Sequence, residues 1–392
     1  MKYRKFGRTN ILMPVFSCGG MRFQHSWEHL RIGEIPEDNQ ENLEKTVMKA
    51  YNSGINHFET ARGYGTSEIQ LGQALRHLPR EDILIQTKIA PTADIEEFKS
   101  KLEKSFLNLQ IDYADFIALH GINDRESYTN ALNCLSVLEE WRHDGRIKFI
   151  GFSTHGPTDL IIKTIKSGRF DYVNLHYYFI FQDNFEALRA AEEADLGVLI
   201  ISPNDKGGKL YKPPVKLKGL TAPLTPMQFN DLFCLADPAI KTLTIGANKP
   251  EDFEEHLAVL DSIDESGGVS DDTYLSIADK LRAELERVLG CNWLNCCCMR
   301  LPDYKETPNE INIPVILRLY NLAKGLNMTE YGKMRYNLLG NGGTWFPGNN
   351  AEKAKKEKNA IIELCKKNGF PDPDRIPDIL IEAHEMFSDK KK

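Results

Sequence analysis

Residues 83–120 read ILIQTKIAPTADIEEFKSKLEKSFLNLQIDYADFIALH. A β-rich run, Ile83–Thr87, leads into an amphipathic helical stretch, Ile95–Leu107, and then into a second apolar run, Phe116–Leu119. Strand, crossover helix, strand is the unit of a parallel sheet, because a crossover is needed to bring the chain back to run in the same direction. Outward from this unit the same alternation continues. Further strands are expected at Val15–Cys18, His57–Glu59, Phe149–Phe152, Tyr172–Leu175, Gly197–Ile201 and Thr242–Ile245. Amphipathic helices are expected at Gln40–Ser53, Ser67–His77, Asn130–Asp144, Thr158–Ser167, Asn184–Ala194 and Glu251–Ile263. Eight such units select a closed (β/α)8 TIM barrel over an open doubly wound sheet.

Tyr3–Leu12 reads as a hairpin turning at Gly7–Asn10, placed to plug the barrel bottom. Ser26–Pro36 is a polar insert, and Asp205–Pro226 is a long Gly-, Lys- and Pro-rich loop of the kind that carries function. Strand signals stop near Asp264–Gly268. Helices are expected beyond it at Asp271–Leu289, Pro314–Leu326, Glu352–Asn368 and Ile376–Phe387. The expected organisation is a barrel over 1–265 and a smaller all-helical domain over 270–392.

The chain has 392 residues, 41% hydrophobic and 27% charged, which is ordinary globular composition. Its net charge of −7 offers no general reason to expect nucleic-acid binding. The first residues lack a signal-peptide pattern, and no run of apolar residues is long enough for a membrane span. Eight cysteines in a chain of this kind are expected as free thiols, which points to the cytoplasm. Oligomeric state is not legible.

In a (β/α)8 barrel the chemistry sits at the C-terminal ends of the strands. Glu59, Lys88 and His120 end three successive strands, and Tyr64 follows Glu59 in its loop. Such a set suits carbonyl reduction, where a proton must reach a developing alkoxide whose charge must be stabilised. A lysine beside the tyrosine would shift its pKa, and Glu59 would hold the lysine. His120 would orient the carbonyl. Gly19–Gly20 is a weak signal for a turn or a close backbone approach, and His143 and His155 read as structural or surface residues.

The stretches GINHFETARGYGTSEIQLGQAL (Gly54–Leu75), ILIQTKIAP (Ile83–Pro91), YADFIALHGIN (Tyr113–Asn123) and EWRHDGRIKFIGFS (Glu140–Ser153) together resemble the aldo-keto reductase family. The resemblance covers roughly the first 260 residues. It implies an NAD(P)H-dependent reductase of aldehydes or ketones, with a small-molecule carbonyl substrate. Tyr64 would be the proton donor, Lys88 its pKa modulator and His120 the substrate orienter. Glu59 stands where the family usually has aspartate. Ser153 and Asn174 match the positions that hold the nicotinamide carboxamide. Ser202 matches a pyrophosphate contact, and Ile201 stands where many members stack an aromatic ring. Within TIGANKPEDFEEHL (Thr244–Leu257), Ile245 and Gly246 would lie by the phosphates, and Lys249 would meet a 2′-phosphate. Glu255 and His256 stand where the family faces adenine. Asp252 is acidic where some NADPH-specific members are basic. The balance favours NADP, with NAD as the alternative.

Some relatives carry a ferredoxin-like module after the barrel, with C-x2-C-x2-C-x3-C-P spacing. Here GCNWLNCCCMRLP (Gly290–Pro302) is followed by INIP (Ile311–Pro314). The cluster candidates are Cys291, Cys296, Cys297 and Cys298, but three adjacent cysteines diverge, so a degenerate module with free thiols is favoured over a 4Fe-4S cluster. Two competing readings are an NADPH-binding sensor or regulatory barrel with little turnover, and iron–sulfur-linked electron transfer.

Overall fold

The computed structural model describes residues 1–296, 301–370 and 372–389. The chain forms two compact units, Met1–Gly207 with Met227–Asp272, and Gly208–Pro226 with Thr273–Lys392.

In the first unit, β1 (Tyr3–Lys5) and β2 (Leu12–Pro14) pair antiparallel. Eight further strands follow: β3 (Phe16–Gly19), β4 (His57–Glu59), β5 (Leu84–Ile89), β6 (Ala114–His120), β7 (Ile147–Ser153), β8 (Tyr172–Leu175), β9 (Gly197–Ile200) and β10 (Ile240–Ile245). They close into one parallel barrel, with β10 pairing β3. The fold is therefore the expected (β/α)8 barrel, and each expected barrel strand overlaps an observed one.

Alternate residues of the strands fill the interior. Phe116 stacks at 5.4 Å on Phe149 and meets Tyr172 edge-on at 5.3 Å. Phe6, from the hairpin turn, packs edge-on against Phe116 at 5.5 Å, so the hairpin does plug the barrel. Above this apolar layer lies a polar one. His57 Nδ1 lies 2.7 Å from Ser17 Oγ, which lies 2.7 Å from Thr242 Oγ1. Burial pushes the His57 pKa down to about 3, so the ring is neutral.

Local chemistry sets the helix starts. Asp94 accepts from the amides of Glu96 (2.9 Å) and Glu97 (3.2 Å) at the head of helix Ile95–Leu109. Asp124 caps helix Arg125–His143 through the Ser127 amide at 2.8 Å.

Between residues 205 and 263 two expectations change. The helix expected over Glu251–Ile263 is broken into Pro250–Phe253, Glu254–Leu257 and Leu260–Ser262. Its polar residues are used locally: Asp252 accepts from the Asn248 amide at 2.8 Å, and His256 turns inward. The long loop after Asp205 contains a helix, Val215–Thr221, and Pro226–Leu235 begins another.

The second unit is helical. Helix Ile313–Leu326 starts at Asn312, whose side chain accepts from the Val315 amide at 3.2 Å, with Pro314 in the first turn. The INIP stretch is thus a helix start. Thr329–Tyr336 is a helix absent from the sequence reading, because Gly332 interrupts its propensity; the Phe387 ring packs where a side chain at 332 would stand. Trp293 Nε1 donates to Asn321 Oδ1 at 2.8 Å, and Tyr336 Oη meets His384 Nδ1 at 2.7 Å. Cys291 is exposed and begins a short helix, Cys291–Cys296. Cys297 and Cys298 lie outside the described residues, and the 4Fe-4S question falls there with them. Among the described residues no group of three or more His, Cys, Asp or Glu is placed to hold a metal.

Candidate active site

The barrel's C-terminal mouth opens into a cleft lined by Glu59, Tyr64, Lys88, His120, Ser153 and Ser202, together with Gly19, Arg22, His155, Ile201, Asn204, Asp205, Lys206, Thr244 and Gly246. The register explains the convergence. Gly19 pairs with Glu59, Glu59 with Gln86, Lys88 with Ala118, and His120 with Ser153, so Glu59, Lys88 and His120, each an even number of residues along from its neighbour's partner, share one face of the sheet.

Lys88 is 1% exposed. Its ammonium pairs with the buried Glu59 carboxylate and donates to the Thr60 carbonyl at 2.8 Å. It lies 4.8 Å from the centre of the Tyr64 ring, over its face. The His120 ring meets Tyr64 edge-on at 5.7 Å. Trp27, from the polar insert, meets the same tyrosine edge-on at 6.3 Å. Burial raises the Tyr64 pKa above its ordinary value. Burial, then Lys206, drives the Lys88 pKa well down. Burial first, with Lys88 and Lys206 adding, pushes His120 down to about 3. Lys88 is paired with Glu59 while it faces the Tyr64 ring, and the Tyr64 shift comes from desolvation.

Glycines allow the strands and loops to approach. A Cβ on Gly19 would stand 2.6 Å from Thr244 Cγ2, and one on Gly20 would stand 2.6 Å from Ser67 Oγ. The Gly19–Gly20 pair is a close-approach site rather than a loose turn. Ser202 adopts a positive φ of 53°, a sparsely populated conformation for a non-glycine residue, at the cleft wall.

The remaining expected residues are placed unevenly. Asn174 is buried next to Ser153 in register, with both carboxamide atoms lacking partners among the described residues. Thr244 Oγ1 and Asn204 Oδ1 are likewise buried and unpartnered. Ile245 is buried behind Gly246, and Arg22 donates to the Gly246 carbonyl at 3.3 Å. Lys249 is exposed and Glu255 half-buried, and neither is among the residues that line the cleft. His256 does not face outward toward an adenine. It is buried, with Nδ1 2.5 Å from Asp231 Oδ2 and Nε2 3.0 Å from Asn204 Nδ2. Arg22, Asn204 and Lys206 line the cleft without being singled out in the sequence, and so does His155, which the sequence reads as structural or surface. For His155 the signal was available: it stands two positions beyond Ser153, just past a strand end.

The aldo/keto reductase family model matches residues 16–210. The NADH-specific methylglyoxal reductase of Escherichia coli is 27% identical over 185 residues, 41% of this chain and 56% of that protein; the chain thus spans little more than half of it. The L-galactose dehydrogenase of Arabidopsis thaliana is 24% identical over 327 residues, 75% of this chain and 97% of its own length. An aldo-keto reductase from Bacillus halodurans shares the fold with a TM-score of 0.59 at 19% identity, covering 71% of this chain and 96% of that one. With the closed barrel and the motifs at its strand ends, the match makes this chain a member of the aldo/keto reductase family of oxidoreductases.

Proposed function

We propose that the protein is an NAD(P)H-dependent reductase of a small aldehyde or ketone, working reversibly, with Tyr64 as general acid. The convergence of Tyr64, Lys88, Glu59 and His120 in one cleft carries this reading. Tyr64 holds its proton at neutral pH as an ordinary phenol does, and burial raises its pKa further. An alkoxide is a stronger base than a phenolate, so the proton moves to the substrate oxygen only as the carbonyl is reduced. Lys88, held by Glu59 and Thr60, stands over the ring face where phenolate charge develops. His120 is neutral across the physiological range and offers a ring N–H to the carbonyl oxygen.

The donor set fits a nicotinamide cofactor. The unpartnered amide of Asn174 offers one donor and one acceptor beside Ser153, which matches the needs of a carboxamide. Ser202, Ile245 and Gly246 would hold the pyrophosphate side, and Lys249 and Glu255 the adenosine end. Bound NAD(P)H supplies the hydride. NADP is the favoured form, because Lys249 is an exposed cation available to a 2′-phosphate. A cytoplasmic location accords with the free thiols of Cys18, Cys134, Cys234 and Cys365. The test is turnover of an aldehyde panel with NADPH by wild type and Tyr64→Phe. Equal rates would overturn the mechanism.

A further inference from the structure

Ser202, Asn204 and Lys206 reach the cleft from one turn after β9. The Lys206 amide closes that turn on the Ser202 carbonyl at 3.0 Å. A Cβ on Gly207 would stand 2.0 Å from the Pro203 oxygen, so the chain folds back tightly. Ser202 enters the turn with its positive φ of 53°. A non-glycine residue stays in that region only where its surroundings enforce it.

The enforcing contact runs through Asn204. Ser202, Asp205 and Lys206 are half-buried, whereas Asn204 is buried. Its Nδ2 lies 3.0 Å from His256 Nε2, and His256 Nδ1 lies 2.5 Å from Asp231 Oδ2. Asp231 stands on helix Pro226–Leu235 and His256 on the short helix Glu254–Leu257; both are buried. The His256 ring also meets Phe16 of β3 edge-on at 5.7 Å. An amide nitrogen only donates, so His256 Nε2 accepts. The ring proton then sits on Nδ1 and is donated to Asp231. Asp231 Oδ1 and Asn204 Oδ1 are buried without a hydrogen-bond partner among the described residues. An unsatisfied oxygen at each end makes this relay costly as a stabilising device; what it fixes is a single position for Asn204.

We propose that Asp231 and His256 are positioning residues for the nicotinamide cofactor. Through Asn204 they hold the Ser202 turn in its binding form before the cofactor arrives. A turn that is correct only part of the time weakens binding in proportion to that fraction. His256 stands where the family faces adenine, but here it serves the cofactor from behind the turn. The inference rests on the NAD(P)H-binding reading above. It concerns the pyrophosphate side, which NADPH and NADH share.

The experiment titrates the full chain with NADPH and with NADH, read by fluorescence. His256→Leu and Asp231→Leu are each expected to raise both dissociation constants about tenfold, as a turn correct about one-tenth of the time would. Asp231→Asn keeps an acceptor for the His256 Nδ1–H and should recover most of the wild-type affinity. The KM for an aldehyde at saturating NADPH should stay within about twofold of wild type in all three. Nitrogen NMR of the wild type needs no variant to fold, and should show His256 with a protonated Nδ1 and a bare Nε2. A proton on Nε2 overturns the relay. Unchanged cofactor affinity in His256→Leu, or equal weakening in Asp231→Asn and Asp231→Leu, overturns the positioning role while cofactor binding stands. A wild type that binds neither NADPH nor NADH overturns the underlying reading instead.

Discussion

The ammonium of Lys88 lies over the face of the Tyr64 ring, 4.8 Å from its centre, while its charge is paired with Glu59. The lysine therefore stands where charge develops on the tyrosine without stripping its proton in the resting site. Removing the phenol should separate chemistry from binding. Tyr64→Phe is expected to lower kcat by about a hundredfold to ten-thousandfold, the usual weight of a general acid. NADPH affinity, read by fluorescence titration, should change little, because Tyr64 is not among the expected cofactor contacts.

The Lys88–Glu59 pair is buried on both sides, so its members depend on each other. Lys88→Met leaves an uncompensated carboxylate and should cost about 3–5 kcal/mol of stability. The double variant Lys88→Met/Glu59→Gln should recover part of that loss, since no buried charge remains. Urea unfolding of the two variants tests this. A double variant no more stable than the single one would mean that the pair is not what holds the site. Neither variant should retain wild-type turnover.

Two histidines couple folding to acid. His57 and His120 are pushed from an ordinary value of 6.5 down to about 3, in each case chiefly by burial. Between those values the unfolded chain binds protons that the folded chain refuses. Their contribution to stability is therefore full above pH 6.5 and is lost as pH falls toward 3. For fully buried His57 the slope is about 1.4 kcal/mol per pH unit within that window. His57→Gln should flatten the pH dependence of the urea midpoint there. An unchanged slope would show that the histidine titrates alike in both states.

Cofactor preference should depend on an exposed charge. Lys249→Ala is expected to weaken NADPH by about fivefold relative to NADH, near 1 kcal/mol, the scale of an exposed ion pair. The difference should shrink as salt is raised. Parallel titrations with the two cofactors measure it. Equal weakening of both would remove Lys249 from the 2′-phosphate site.

Most of the barrel was legible because each strand is a short apolar run bounded by turns, and because the strand ends carry the ionisable residues. Glu59, Lys88 and His120 could be placed on one mouth by counting alone, since strand periodicity of two sets which side chains face inward. The helix over Glu251–Ile263 misled because its pattern is amphipathic while its polar groups serve tertiary contacts. Asp252 closes on Asn248, and His256 is drawn to Asp231, 25 positions away.

The amino-acid order by itself determined the closed barrel, the family motifs and the identity of the four ionisable side chains at the mouth. Only the tertiary structure decided how those groups are protonated and what surrounds them. Burial raises the Tyr64 pKa above that of a free phenol, and burial has no counterpart in a string of letters. The hydrogen bonds among His155, His176, Tyr178 and Ile201 join loops after three different strands, so they exist only once the barrel has closed. Local sequence sets backbone preference and residue type, whereas pKa and tautomer depend on neighbours brought together through space.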